Sequence, residues 1–180
     1  MKLYHISETP NIKEFITKPS PRKKDKNLVW AITEDKLHNY LLPRDCPRVT
    51  FFPKSDSDPA DIKNLIGNCN LKAVIAIEKK WGSIIQKTVL YRYEFNAKDF
   101  VLEDKSAGYY VSENPQKPIS VTVIKSMLNE LSMYNIELRI MSSLWKIRER
   151  VIKSTLDFSI IRMRNAMPPE DGIENCYLLP

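Results

Sequence analysis

Glycine, cysteine and histidine are all scarce in this 180-residue chain, at four, three and two residues. With so few glycines, turns must lean on Pro, Asn, Asp and Ser, and no G-x-G-x-x-G dinucleotide loop exists. Cys46, Cys69 and Cys176 are odd in number and widely spaced, which excludes a disulfide framework, and no C-x-x-C offers a zinc site. Two histidines, His5 and His38, are too few for a transition-metal site of the usual kind, so no metal is expected. No run reaches the roughly 18 apolar residues of a membrane span. Met1 leads straight into MKLYHIS, an apolar strand-like run rather than a signal-peptide core. These absences lead to the expectation of a soluble, cytoplasmic protein with no membrane partner.

What is present suits a globular chain: 43% apolar and 28% charged residues. One domain covering residues 1–180 is the expectation for this length. A net charge of +6 favours polyanionic partners such as nucleic acid or nucleotide phosphates. The excess gathers in TKPSPRKKDKN and in LWKIRERVIK, and each also reads as a solvated face.

Along the chain, KLYHI has the bias of a strand, and Ser7, Thr9 and Pro10 supply turn chemistry before Ile12, Phe15 and Ile16 at helical spacing. Pro19 and Pro21 bar a helix across the basic stretch, so residues 18–27 read as an exposed loop. LVWAI is a buried strand; Thr33 is its N-cap to a short helix with Glu34 and Asp35 in the first turn, Leu37, Tyr40 and Leu41 on one face, and Pro43 as stop. RVTFF is the next strand, and Asp61 to Ile66 a short helix. KAVIAIE, TVLYRYEF, DFVLED, GYYVS and ISVTVI then follow as strands in close order, TVLYRYEF alternating as a sheet with one wetter face requires. Ser126 caps a helix that carries Met127, Leu128 and Leu131 and ends near Asn135. Ile140, Leu144, Ile147 and Val151 recur at helical spacing, SIIRMRNA is a last strand, and residues 167–180 form an irregular tail. Short links between the strands favour antiparallel pairing. The expected fold is α+β, with a mainly antiparallel, possibly split, central sheet flanked by helices.

KLYHIS, LVWAITEDKLHNYLL and AGYYVSENPQKPISV together resemble the skeleton of ADP-ribosyltransferase-like proteins. In that superfamily the first strand carries a histidine or arginine, the second an aromatic before a small residue and a helix, and a later strand a glutamate ahead of a proline-led strand. The resemblance implies a fold that handles NAD as substrate, with His5 on the adenosine ribose and Trp30 stacked on nicotinamide. The glutamate position falls at about Gly108 or Tyr109, where there is no acid; Glu113 and Glu103 are the nearest carboxylates, and Glu113 with His5 forms the candidate catalytic pair. RNA 2′-phosphotransferases share the fold and use His and Arg residues, a requirement that Arg44, Arg48, Arg162 and Arg164 would meet. With Tyr40 and Tyr109, these complete the implied ligand-binding set. A protein of this kind that lacks the acid is a nucleotide-binding protein or, alternatively, a non-catalytic module for nucleic acid or a protein partner; an active one is a transferase acting on NAD or an RNA phosphate. The wider chain, above all LHNYLLPRDCPRVTF and FSIIRMRNA, is also similar to a family of uncharacterised bacterial proteins of about this length.

Each candidate also has a plainer reading. His5 suits a satisfied core position, Arg44 or Arg48 a pair with Asp45, and the strand aromatics Tyr91, Tyr93, Tyr109 and Tyr110 a core rather than a stacking platform. Cys46 with His38 spells a thiol and its base, or a small buried residue and a surface helix residue. Glu137 and Arg139 are a helix-start pair or part of a site.

Overall fold

A computed structural model describes residues 1–169 apart from 21, 22, 24, 68 and 69. In chain order its strands are β1 (Lys2–Ser7), β2 (Lys18–Pro19), β3 (Asn27–Thr33), β4 (Arg48–Phe52), β5 (Ala73–Glu78), β6 (Leu90–Asn96), β7 (Val101–Asp104), β8 (Tyr109–Ser112), β9 (Ser120–Ile124), β10 (Ile136–Met141) and β11 (Asp157–Ile161). They form two compact units, each drawn from two stretches of chain. The α+β class and the mainly antiparallel pairing agree with the sequence, and the sheet is indeed split in two.

The first unit comprises residues 1–44 and 88–127. Its sheet runs β7-β8-β3-β1-β6-β9, with β2 paired to β3, and every pair is antiparallel. Facing residues of an antiparallel pair share a side of the sheet and alternate residues switch sides. Leu3 on β1, Val29 and Ala31 on β3, and Tyr93 and Phe95 on β6 therefore gather on one face, where Phe100, Ile12, Phe15 and Tyr110 close over them.

The second unit comprises residues 45–87 and the chain from 128 on. Its sheet runs β10-β5-β4-β11, parallel between β10 and β5 and antiparallel elsewhere. The continuous apolar run of β5 is buried along its whole length, as a central strand covered on both faces requires. Val49, Phe51, Val74 and Ala76 form the sheet side of its core, and Leu144, Ile147 and Val151 supply a helical side.

Several local expectations change. Ile12, Phe15 and Ile16 form no helix; Asn11 adopts φ 57 and Phe15 makes a single antiparallel bridge to Gln116. Three apolar residues are too short a stretch to repay helix nucleation, and Ile12 and Phe15 bury themselves on the sheet instead. Ile140 is not the first residue of a helical stripe. It lies on β10 and is 57% exposed, and the helix starts only at Trp145, because pairing with β5 claims the backbone up to Met141.

Thr33 does precede a helix with acids in its first turn, but the helix (Glu34–Tyr40) is 3-10 in type and the Thr33 side chain makes no capping bond. His38 on that helix is buried, not a surface residue. The basic stretch is only in part a free loop: Lys18 and Pro19 pair with β3, Lys23 meets Glu103 at 2.6 Å, and Lys26 pairs with Glu113. The segment from residue 170 lies outside the described residues.

Candidate functional site

β1 pairs with β6 over six residues but with β3 over only two, Leu3 with Thr33 and Tyr4 with Ile32. One step beyond that short ladder, the His5 ring reaches across, and its Nδ1 lies 2.9 Å from the Trp30 main-chain oxygen. A carbonyl oxygen only accepts, so Nδ1 carries the hydrogen and Nε2 carries the lone pair. Among the described residues nothing hydrogen-bonds Nε2.

Burial pushes the His5 pKa below its ordinary value; the charges of Arg44 and Lys18 push the same way, against the opposing pull of the Trp30 oxygen. The ring is thus a neutral acceptor at pH 7. Phe15 packs against it at 4.9 Å between centroids. That phenylalanine belongs to a segment held down by Tyr93, whose hydroxyl donates to Thr9 O at 2.8 Å and accepts from Ile12 N at 3.1 Å. Arg44 is anchored from the same end of β1, its main-chain N–H donating to a Glu8 carboxylate oxygen at 2.7 Å.

The Trp30 side chain is not in this group. It lies between Val29 and Ala31, which point into the core on the His5 side, and so projects from the opposite face. There its ring meets Tyr109 edge-on at 5.6 Å, and the Tyr109 and Tyr40 hydroxyls are hydrogen-bonded at 2.5 Å. Trp30, Tyr40 and Tyr109 form one half-buried aromatic group. His5 packs with Phe15 on the other face.

At Gly108, one of the two positions where the resemblance leads to the expectation of an acid, a side chain meets a steric block. Gly108 adopts φ +68 and its carbonyl oxygen accepts from the Thr33 N–H at 3.0 Å; a Cβ there would lie 2.3 Å from Thr33 Oγ1. No acidic side chain fits at that position. Glu113 is 62% exposed and paired with Lys26, whose hydrogen bond and charge hold its carboxyl below the usual range. It is a solvated anion, unsuited to act as a proton donor. Glu103 is paired with Lys23.

Arg48, Arg162 and Arg164 belong to the second unit. Arg48 is buried and donates from Nη1 to Cys46 O at 2.9 Å. Arg162 approaches Asp45 at 3.8 Å, and Asn165 donates to Asp45 O at 2.8 Å, so PRDCP and IIRMRNA are joined. Arg164 is exposed. Cys46 is the small buried residue of the plainer reading, its thiol pushed up to about 12 by burial. Glu137 and Arg139 pair on a strand, and Arg139 also binds the main-chain oxygens of Leu65 and Ile66. Among the described residues no group of three or more His, Cys, Asp or Glu side chains is arranged to hold a metal.

Sequence reasoning missed Lys18 and Phe15 as neighbours of His5, and the buried carboxylate Glu78, 1% exposed, which accepts from Met167 N at 2.8 Å. Lys18 and Phe15 stand 13 and 10 positions from His5, and no periodic signal links them to it. In Glu78 the run AVIAIE hides a charge at the end of an apolar strand.

No helix is long and apolar enough to cross a membrane among the described residues. Neither the curated proteins nor the solved structures contain a match to the chain. The family of unknown function DUF6886 matches residues 4–166, and the chain belongs to that family.

Proposed function

We propose that the first unit binds a nucleotide through His5, Arg44 and Lys18, and that it does so without ADP-ribosyl transfer. The observation that carries the reading is the state of His5: a neutral imidazole with Nδ1 tied to Trp30 O and Nε2 open as an acceptor, on which the charges of Arg44 and Lys18 act. A ribose hydroxyl is a donor that fits Nε2, and a phosphate beside it answers the two charges. Trp30 contributes through its main chain, by fixing the imidazole tautomer, while its ring serves the separate aromatic face. NAD is a ligand on this reading; the steric block at Gly108 and the pairing of Glu113 leave no carboxylate to stabilise an oxocarbenium ion.

Titration calorimetry with NAD, ADP-ribose, AMP and adenosine tests this. Binding of the three phosphorylated ligands is expected to exceed that of adenosine. His5→Ala should weaken all four by about tenfold, the loss of one well-placed hydrogen bond with its desolvated partner. Arg44→Gln should erase the preference for phosphate. NAD should remain intact over hours, with no free nicotinamide. Absence of heat with every nucleotide at millimolar concentration would falsify the assignment.

A further inference from the structure

β9 ends the sheet of the first unit, and among the described residues it pairs with β6 alone. Its outer edge therefore offers a row of unpaired main-chain donors and acceptors. Ser120 to Val123 are exposed in succession, and the alternate residues Ile119, Val121 and Val123 are 63%, 49% and 48% exposed. Val121 faces Tyr93 and Val123 faces Tyr91, so these apolar chains extend one side of the sheet outward. The usual protections of an edge are missing inside the strand: from residue 119 to 124 there is no charge and no proline, and the pairing with β6 keeps register. The charges stand at its ends. Lys117 and Lys125 are both exposed, with no ion-pair partner among the described residues.

We infer that β9 is a docking edge for an extended segment of another protein, one that adds a strand to the sheet and carries an acidic residue at each end. The two lysines are eight steps apart, about 26 Å in extended chain, so the segment is about nine residues long. Alternate β-branched residues on it would continue the row of Ile119, Val121 and Val123, and its terminal carboxylates would meet Lys117 and Lys125. A second copy of this chain fits poorly. Antiparallel pairing about Thr122 sets Lys125 opposite Ile119 of the other copy, a diagonal of about 7 Å from its Lys117, and repeats that like-charge contact at both ends.

The probe is a fluorescein-labelled peptide, Glu-Thr-Val-Thr-Val-Thr-Val-Thr-Glu, against its twin with lysine at both ends, read by fluorescence anisotropy on the full chain. The acid-ended peptide is expected to bind about fivefold tighter, as two exposed ion pairs would give, and the gap should shrink in added salt. Lys117→Glu with Lys125→Glu should invert the preference; both positions are exposed, so the fold is kept. Thr122→Pro should remove binding of both peptides, with circular dichroism checking that the sheet persists. Equal binding of the two peptides, no binding of either, or a preference unmoved by charge reversal overturns the inference. So does light scattering that shows a dimer of this chain dissolved by Lys117→Glu or Thr122→Pro, because the edge would then be taken by a second copy.

Discussion

Replacing Gly108 by alanine places a methyl group where the fold has no room. The backbone there has φ +68, which costs an L-residue about 1–2 kcal/mol. The new Cβ would lie 2.3 Å from Thr33 Oγ1 and 2.9 Å from Lys36 Cγ. The lysine side chain can swing away; Thr33 cannot easily, because it ends β3 and its own N–H is bonded to Gly108 O at 3.0 Å. Overpacking of this kind adds about 1–3 kcal/mol. The expected loss for Gly108→Ala is therefore about 2–5 kcal/mol, a large share of a domain's stability.

Urea denaturation followed by circular dichroism would show it as a midpoint lowered by about 1–2 M. The two contributions separate in a double-mutant cycle. Among the described residues Thr33 Oγ1 is buried without a hydrogen-bond partner, so Thr33→Ala by itself should change stability by less than about 1 kcal/mol. In its presence Gly108→Ala should cost only the conformational part, giving a coupling of about 1–3 kcal/mol. A loss below about 1 kcal/mol for Gly108→Ala, or strict additivity of the two changes, would refute both the steric argument and the account it gives of the missing acid.

Tyr93→Phe removes the hydroxyl that joins Thr9 O and Ile12 N and should cost about 1–2 kcal/mol, with faster hydrogen exchange at Ile12 and Phe15; unchanged exchange would show that the segment over His5 is held by other means. In a Cys69→Ser, Cys176→Ser background, Cys46 should react with a disulfide reagent at pH 8 about a thousandfold more slowly in the folded than in the unfolded chain, since its thiol is pushed up to about 12; rapid labelling of the native protein counts against that burial. The depressed His5 pKa makes the unfolded chain bind more protons between the folded value and the ordinary 6.5, so this contribution to stability is complete above pH 6.5 and is lost as pH falls through the folded value. The melting temperature of the native chain should accordingly drop relative to His5→Gln between pH 7 and pH 5, and a difference that stays constant with pH is the contrary result.

Much of the fold is visible along the chain because strand signals are local. KLYHI, LVWAI, RVTFF, AVIAIE and YYVS are apolar or β-branched runs bounded by turn residues, and each is a strand. The failures share a cause. Ile140 has helical spacing to Leu144 and Ile147, but a parallel partner 63 positions earlier, Ile77, decides its conformation. Phe15 has helical spacing to Ile12, but Gln116 and the face of a sheet hold it extended. Periodicity within a segment carries no information about a partner that far away.

The candidate site divides along the same line. Residue types were readable from the sequence: a histidine on the first strand, an aromatic on the second, arginines around a two-proline turn, and no acid at Gly108 or Tyr109. By itself the sequence determined most of the segments that extend and that the pairing is mainly antiparallel, because side-chain chemistry and period-two alternation act over neighbouring residues. Only the tertiary structure decided that His5 and Trp30 project from opposite faces, that Nδ1 is spent on Trp30 O while Nε2 stays open, and that Arg44 and Lys18 bring their charge to that ring. Those facts depend on register between strands, and one residue of slip would exchange every face.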